Sequence, residues 1–333
     1  MKATAIAPAN IAFIKYWGKK DEALRLPLNS SISMNLSNAY TTTTVEFSKA
    51  FPQDTINVAS DTSFTTFTHV LKNSELRIIA HLDRMRKLKG TDMRARVVTK
   101  NSFPAGAGIA SSASGFAALT VAAAAALDLS VSEKELSILA RLGSGSACRS
   151  IPDGFVMWEE GNSSETSYAH SLYPPGHWDL RDIVAVVQSK PKEVGSTSGM
   201  EAARTSPFLE ARLAAIPGRI ARVKKALEQK DIHALGNVIE EDCLDMHAVM
   251  QSQKPPLNYL TDETREIINA VRRWRSGGLA VCFTIDAGPN VHLICEGKDE
   301  QVISKKASEI SGVQQIIVNK PARGARIVTE HLF

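Results

Sequence analysis

Residues 101 to 129, NSFPAGAGIASSASGFAALTVAAAAALDL, constrain the fold more than any other stretch. The run opens polar, passes Pro104, Gly106 and Gly108, reaches the pair Ser111 and Ser112, and becomes alanine-rich. Proline lacks an N–H and glycine is costly inside a regular element, so Pro104 to Gly108 reads as a loop. From Ser114 to Leu127 there is no proline and one glycine, Gly115, and Ala122 to Ala126 are consecutive alanines. Alanine has the lowest helical cost of any residue, so this run reads as helix. A loop feeding a helix presents free N–H groups at the positive end of the helix dipole, a ready anion site. Small side chains let a phosphate approach the backbone, and the serine hydroxyls can donate to it or help hold a metal. A glycine–serine loop before a helix is also often a plain connection, and both readings stand here. It is not a Walker A loop, because no Gly-Lys-Ser/Thr follows the glycines, and it is not GxGxxG.

A chain of 333 residues suggests two domains, and 44% apolar content is ordinary for a protein with a real core. With 39 basic and 35 acidic residues the net charge is +4, which suits small anionic ligands better than nucleic acid. Cys148, Cys243, Cys282 and Cys295 lie apart with no CxxC spacing. They imply neither a zinc site nor a disulfide framework and point to a reducing compartment. The N-terminal apolar stretch is interrupted by Pro8 and Asn10 and ends in Lys15, Lys19 and Lys20, so it does not read as a signal peptide. No segment reads as a membrane span, and a cytoplasmic location is expected.

Thr4 to Ile14 reads as a strand broken at Pro8-Ala9-Asn10. Lys15 and Lys19 then flank Tyr16-Trp17-Gly18. This is either a loop whose amphipathic side chains cover a strand or a cationic, aromatic-walled pocket for an anion. Ile32 to Leu36 and Thr41 to Phe47 read as two strands, the second from its β-branched run. Glu75 to Leu88 has the spacing of a helix with one buried face. Arg77 lies near the start of that helix, an odd place for a cation on dipole grounds. Arg96 to Thr99 reads as the strand entering the central loop.

Ser132 and Glu135 form an S-x-x-E capping box opening a helix to about Leu142. Ser144, Ser146, Arg149 and Ser150 then crowd around Gly143 and Gly145. Such a loop can wrap an oxyanion with hydroxyls and N–H groups, and the arginine fork suits a carboxylate or phosphate. Asp182 to Gln188 reads as a buried strand and marks the expected boundary, dividing the chain into 1–185 and 186–333. Gly195 to Gly199 is another small polar cluster. Helices are expected at about Phe208–Ile216, Gly218–Gln229, Ile232–Val249, Thr261–Arg275 and Val302–Ile310, with strands at Val281–Ile285, Val291–Cys295 and Gln314–Val318. His233 and His247 read as surface or core residues, not ligands. Asp286 ends a strand before the turn Ala287-Gly288-Pro289-Asn290. It either caps that turn or is a base held on a rigid element.

A glycine–serine loop opening a helix, a cationic N-terminal loop, a serine–arginine loop and a strand-end carboxylate share one chemistry. They suggest ATP-dependent phosphoryl transfer to a small anion, with the carboxylate accepting a hydroxyl proton.

PAGAGIASS resembles the phosphate loop of the GHMP kinase superfamily. APANIAFIKYWGK, SSASGFAAL, RLGSGSACRS and FTIDAGPN resemble, in order, motifs of the mevalonate diphosphate decarboxylase family. The resemblance implies an α+β, two-domain GHMP kinase fold with a cleft between the domains, ATP and Mg²⁺ as cofactors, and a homodimer. It implies a phosphorylated mevalonate as substrate and no nucleic-acid or membrane partner. ATP phosphates would lie on Pro104, Gly106, Gly108, Ser111 and Ser112, with Ser111 near the Mg²⁺. Asp286 would take the proton of the C3 hydroxyl, which then accepts the γ-phosphate. Phosphate and CO₂ leave together, because a tertiary hydroxyl is a poor leaving group. Lys15 matches the lysine beside the catalytic acid, and Arg149 the arginine on the substrate carboxylate. Ser144, Ser146 and Ser196 match substrate serines, while Tyr16, Lys19 and Arg77 match residues on the phosphate tail.

The chain departs from the family pattern in two places. Ala105 and Gly106 stand where the phosphate loop usually has Thr and Ala, and Pro152-Asp153-Gly154 replaces an aromatic-Gly-Gly. An anion at Asp153 pointing inward would disfavour a second substrate phosphate. The expected substrate is therefore 5-phosphomevalonate, giving isopentenyl phosphate; the alternative is 5-diphosphomevalonate, giving isopentenyl diphosphate. Two further alternatives are a kinase that stops after phosphorylating C3 and a non-catalytic nucleotide-binding regulator. Asp286 argues against both.

Overall fold

The computed structural model describes residues 1–59, 68–103, 111–187 and 195–333. Strand β1 (Lys2–Ile14) is followed by a small hairpin, β2 (Lys19–Asp21) and β3 (Leu26–Pro27), and by the long strand β4 (Ser31–Ser48). Then come β5 (Thr55–Ala59), α1 (Thr68–Lys89), β6 (Arg94–Asn101), α2 (Ser111–Ala126) and α3 (Glu133–Gly143). A 3-10 turn at Gly145–Ser150 leads to β7 (Phe155–Trp158) and β8 (Ala169–Tyr173). The remainder is β9 (Leu180–Val186), α4 (Ser196–Glu201), α5 (Leu209–Gln229), α6 (Ile232–Ser252) and α7 (Asp262–Ser276). It closes with β10 (Val281–Ile285), β11 (Val291–Glu296), α8 (Glu300–Ser308), β12 (Gln315–Asn319) and β13 (Arg326–Val328).

The larger sheet has the order β13-β1-β4-β6-β5, with β7 added to β4 and β8 to β7. The expected break in β1 is an irregularity in its pairing with β4: Pro8 faces Tyr40, and Asn10 faces Asn35. The same bulge joins the two strands expected at Ile32–Leu36 and Thr41–Phe47, because β4 stays paired with β1 on both sides of it. Before the bulge Ala3, Ala5 and Ala7 pack in the core beneath α2. Beyond it Ala9, Ile11 and Phe13 pack with Leu180, Val184, Val223 and Val238 of the C-terminal half.

Helix α2 is buried on nearly every side, as a helix apolar all round must be. Its alanines let it approach the sheet closely, and Thr41 and Ser114 join their hydroxyls at 2.6 Å to fix its first turn on β4. The capping box of α3 forms as expected: Ser132 accepts from the Glu135 N–H, and Glu135 accepts from that of Ser132. Helix α1 begins at Thr68, so Arg77 lies well inside it and the dipole argument for that residue lapses.

The second sheet has the order β10-β11-β9-β12, all antiparallel. The expected boundary after residue 185 cuts the last residue of β9, whose partners β11 and β12 lie wholly in the second sheet. Sheet membership changes between Tyr173 and Leu180. Helix α5 is continuous through Pro217 where two helices were expected. Ile216, Val223 and Leu227 are buried on either side of the proline and hold its halves in line despite the lost hydrogen bond. The chain then crosses back. Pro321 bridges Leu36, and β13 pairs with β1, with Thr4 opposite Val328. The two sheets are thus joined by two passages of chain, one between β8 and β9 and one between β12 and β13.

Candidate active site

Lys15 is the first residue beyond β1, and Asp286 the first beyond β10. They meet with Lys15 Nζ donating to Asp286 Oδ1 at 2.6 Å. The lysine side chain is almost fully buried, while a quarter of the aspartate side chain is exposed. A turn in which Gly288 N–H donates to Asp286 O at 2.7 Å fixes the aspartate at its strand end. Burial alone would raise the Asp286 pKa. The charges of Lys15, His292 and Arg149 outweigh it and hold the carboxyl below its ordinary value. His292 stands on β11 opposite Thr284, and its Nδ1 lies 2.9 Å from Asp182 Oδ1 on β9. Asn319 also donates to Asp182, at 3.3 Å, so this buried group beneath the acid is well partnered.

Arg149, in the 3-10 turn after α3, is buried. Its Nη1 donates to Ser31 Oγ at 2.8 Å and its Nε to Asn10 Oδ1 at 3.2 Å. Asn10 Nδ2 donates to Ser150 Oγ and to Ser146 O. Two bonds therefore set the plane of the guanidinium, and the bulged stretch of β1 supplies the key acceptor. Asn10 and Ser31 went unnoticed in the sequence. The bulge at Pro8–Asn10 was the only signal for Asn10.

Tyr16 packs edge-on against Trp158, with ring centroids 4.7 Å apart. Gly145 abuts the same ring, where a Cβ would come within 2.8 Å of it. Any side chain at 145 would displace Tyr16. Lys19 is buried and its ammonium is paired with Glu22.

At the head of α2, Ser111 and Ser112 are exposed. Ser144 Oγ donates to Ser112 Oγ at 3.2 Å, joining the serine–arginine loop to the start of the helix. Beside it lies a cavity of about 200 Å³ lined by Thr41, Arg77, Thr99, Asn101, Ser112 and Phe116 among others. Arg77 lies over the Phe116 ring at 4.9 Å and donates to Gly143 O at 3.0 Å. Pro104, Gly106 and Gly108 lie outside the described residues, as does the side chain of Ser196, whose backbone opens α4.

A second carboxylate, Asp242 on α6, also escaped the sequence reading. It is fully buried, accepts the Lys15 main-chain N–H at 2.7 Å and pairs with Arg212 at 3.1 Å. Arg212 also donates to Lys15 O at 3.4 Å, so the C-terminal helices grip the peptide groups of this lysine.

The structure corrects the expectation at Asp153. Its carboxylate accepts the Gly324 N–H at 2.7 Å and faces Arg323 at 3.8 Å. The neighbouring Pro152 O accepts from Asn35 Nδ2, and Gly154 N–H donates to Ala322 O. The segment is thus tied to the chain leading into β13, and the Asp153 carboxylate is engaged there. The argument for a monophosphate loses its footing.

A carboxylate held ionised beside an ammonium, with a fixed arginine close by, can accept a proton from a bound hydroxyl while cations balance an anionic substrate. Comparison with known proteins points the same way. Residues 7–169 match the family described as diphosphomevalonate decarboxylase-like N-terminal domain. Residues 182–326 match the mevalonate 5-diphosphate decarboxylase C-terminal domain. The diphosphomevalonate decarboxylase of Aspergillus fumigatus is 36% identical over 93% of this chain and 81% of its own length. That of Bos taurus is 38% identical over 86% and 75%. The crystal structure of mevalonate diphosphate decarboxylase from Staphylococcus aureus is 41% identical over 98% of both chains, with a TM-score of 0.91. A chain solved in complex with MVAPP, AMPPCP and magnesium is 35% identical over 99% of both, with a TM-score of 0.89.

Proposed function

This chain belongs to the diphosphomevalonate decarboxylase family, and from that premise we propose that its substrate is 5-diphosphomevalonate and its product isopentenyl diphosphate. It is an ATP-dependent decarboxylase with the two-domain GHMP kinase fold. Among the described residues, no helix is long and apolar enough to cross a membrane.

The observation that carries the mechanism is the contact between Lys15 and Asp286. Asp286 Oδ accepts the proton of the C3 hydroxyl as that oxygen becomes the nucleophile. Lys15 and Arg149 keep the carboxyl ionised before substrate arrives, which a general base requires. Arg149, fixed by Asn10 and Ser31, holds the substrate carboxylate with the reacting carbon facing Asp286. Ser144, Ser146 and Ser196 line the substrate. Tyr16, Lys19 and Arg77 hold the phosphate tail, Lys19 exchanging Glu22 for a phosphate oxygen.

The exposed hydroxyls of Ser111 and Ser112, in a first helical turn without acidic residues, fit the phosphates of a nucleotide. Among the described residues no cluster of three or more His, Cys, Asp or Glu could cage a metal. Ser111 is the hydroxyl that would lie nearest a magnesium ion carried with the nucleotide phosphates. Bound ATP, with its charge balanced by magnesium, would supply the phosphoryl group that turns a tertiary hydroxyl into a leaving group.

The diphosphate is favoured over the monophosphate because Asp153 is engaged with Gly324 and the relatives are named for the diphosphate. Steady-state release of CO₂ with each substrate tests this. A second phosphate that makes charge-assisted hydrogen bonds should raise kcat/KM by about 10–100-fold. A higher kcat/KM for the monophosphate would reverse the assignment.

A further inference from the structure

Several buried arginines of this protein carry two carboxylates each. Arg86 holds Asp54 and Asp83, Arg181 holds Asp179 and Glu300, and Arg212 holds Asp242 and Asp245. Arg25, Arg77, Arg84, Arg141 and Arg149 differ: among the described residues none is paired with a carboxylate. Arg141 instead fills its donors with the carbonyls of Leu24, Ser164 and Ser167 and with Ser164 Oγ, and Arg149 is fixed by Asn10 and Ser31. Arg25 stands at the end of the loop between β2 and β3, with its backbone in the left-handed region at φ 51°. A bulky residue seldom adopts that conformation unless its surroundings hold it there. Its Nε donates to Leu142 O at 3.1 Å, and Arg77 Nη2 donates to the next carbonyl, Gly143 O, at 3.0 Å. Two guanidiniums are thus anchored side by side on the last carbonyls of α3, each by one of its five N–H groups. Among the described residues, Arg77 Nε is buried with no partner.

Capping the negative end of α3 accounts for one cation, not for two gathered where they repel. Burial, and then the charge of Arg25, push the Arg77 pKa down to about 10, and Arg25 acts on Arg84 in the same direction. An uncompensated pair with spare donors is what a doubly charged anion fills. The pair adjoins Ser144, and the charge of Arg25 reaches Tyr16, so it borders the wall assigned to the phosphate tail.

We infer that Arg25 and Arg77 form a two-guanidinium site that takes the terminal phosphate of the substrate's 5-diphosphate, making Arg25 a specificity residue for the longer tail. The inference rests on the diphosphate reading above, so its test has an arm that needs no turnover.

The variants are Arg25→Asn, which removes the charge yet tolerates a left-handed backbone, and Arg25→Lys, which keeps the charge and loses the fork. In calorimetry with inorganic pyrophosphate, Arg25→Asn should bind about 10–100-fold more weakly than the parent, and Arg25→Lys should fall between them. In steady-state assays the KM for 5-diphosphomevalonate should rise by a similar factor and the KM for ATP by less than about threefold. Pyrophosphate affinity within about twofold of the parent would overturn the site. So would a rise in the KM for ATP in place of the substrate's, which would give the pair to the nucleotide. An equal rise in both with a lowered Tm would leave Arg25 only a cap of α3 and would also overturn it. If the parent failed to release CO₂ from the diphosphate while Arg25→Asn still lost pyrophosphate, the substrate assignment would fall and the anion site would stand.

Discussion

Asp286 and Asp242 both bond to Lys15, the first at its ammonium and the second at its main-chain N–H. Asp242 is fully buried, and Lys15, Arg212 and Arg219 surround it with donors. Its acceptor sites are filled, so it has nothing to offer a substrate. Asp286 keeps a quarter of its surface open and is poised by charge more than by bonds. One carboxylate holds the lysine's backbone and the other shares its ammonium. Proximity to this lysine does not by itself give an acid a part in the proposed chemistry; unused acceptor capacity is needed as well.

The sharpest way to break this contrast is to neutralise each acid in turn. Asp286→Asn should lower turnover by about 10²–10⁴-fold, the usual share of a general base, while urea unfolding and nucleotide affinity stay near those of the parent. A variant that unfolded early yet turned over normally would make Asp286 structural. Asp242→Ala should do the reverse. It leaves Arg212 buried without its main partner, and breaking such a pair costs about 3–5 kcal/mol, read from the urea midpoint. Unchanged stability with lost turnover would move Asp242 into the chemistry.

The smallest expected effect concerns His247, on the same helix as Asp242. Burial, reinforced by the Lys15 charge, pushes its pKa down to about 4, against about 6.5 in an unfolded chain. The folded state therefore disfavours the extra proton. Its contribution is complete above about pH 6.5 and is lost as pH falls toward 4, at up to about 1.4 kcal/mol per pH unit. His247→Gln should flatten the fall in unfolding free energy between pH 7 and 4.5; an unaltered slope would show that His247 is not the group responsible.

Local chemistry was legible in the sequence. The capping box of α3, the alanine helix, the strand carrying Asp286 and the crowding around Arg149 could be read because each is written in adjacent residues. Asp242 could not, because its bond to Lys15 joins segments far apart in the chain, and an acid on an amphipathic helix looks like any solvated one. Pro217 misled for the opposite reason. Its local preference is to end a helix, and only the packing of Ile216, Val223 and Leu227 overrides it. The unit of β4 was hidden by Ser37 to Tyr40, which look like a turn but form a bulge held by β1. Asp153 was a matter of direction: its charge was plain, but its partner Gly324 lies far along the chain, just before β13.

That returning strand has a mechanical consequence. Two bodies tethered by one segment can swivel freely, whereas a second tether leaves an axis. The passage between β8 and β9 and the one between β12 and β13 define such an axis, so any closing of the halves over a ligand must be a bend about it. Lys15 comes from the first half of the chain, yet Asp242 and Arg212 of the second grip its peptide groups, so such a bend would carry the Lys15–Asp286 pair as a unit.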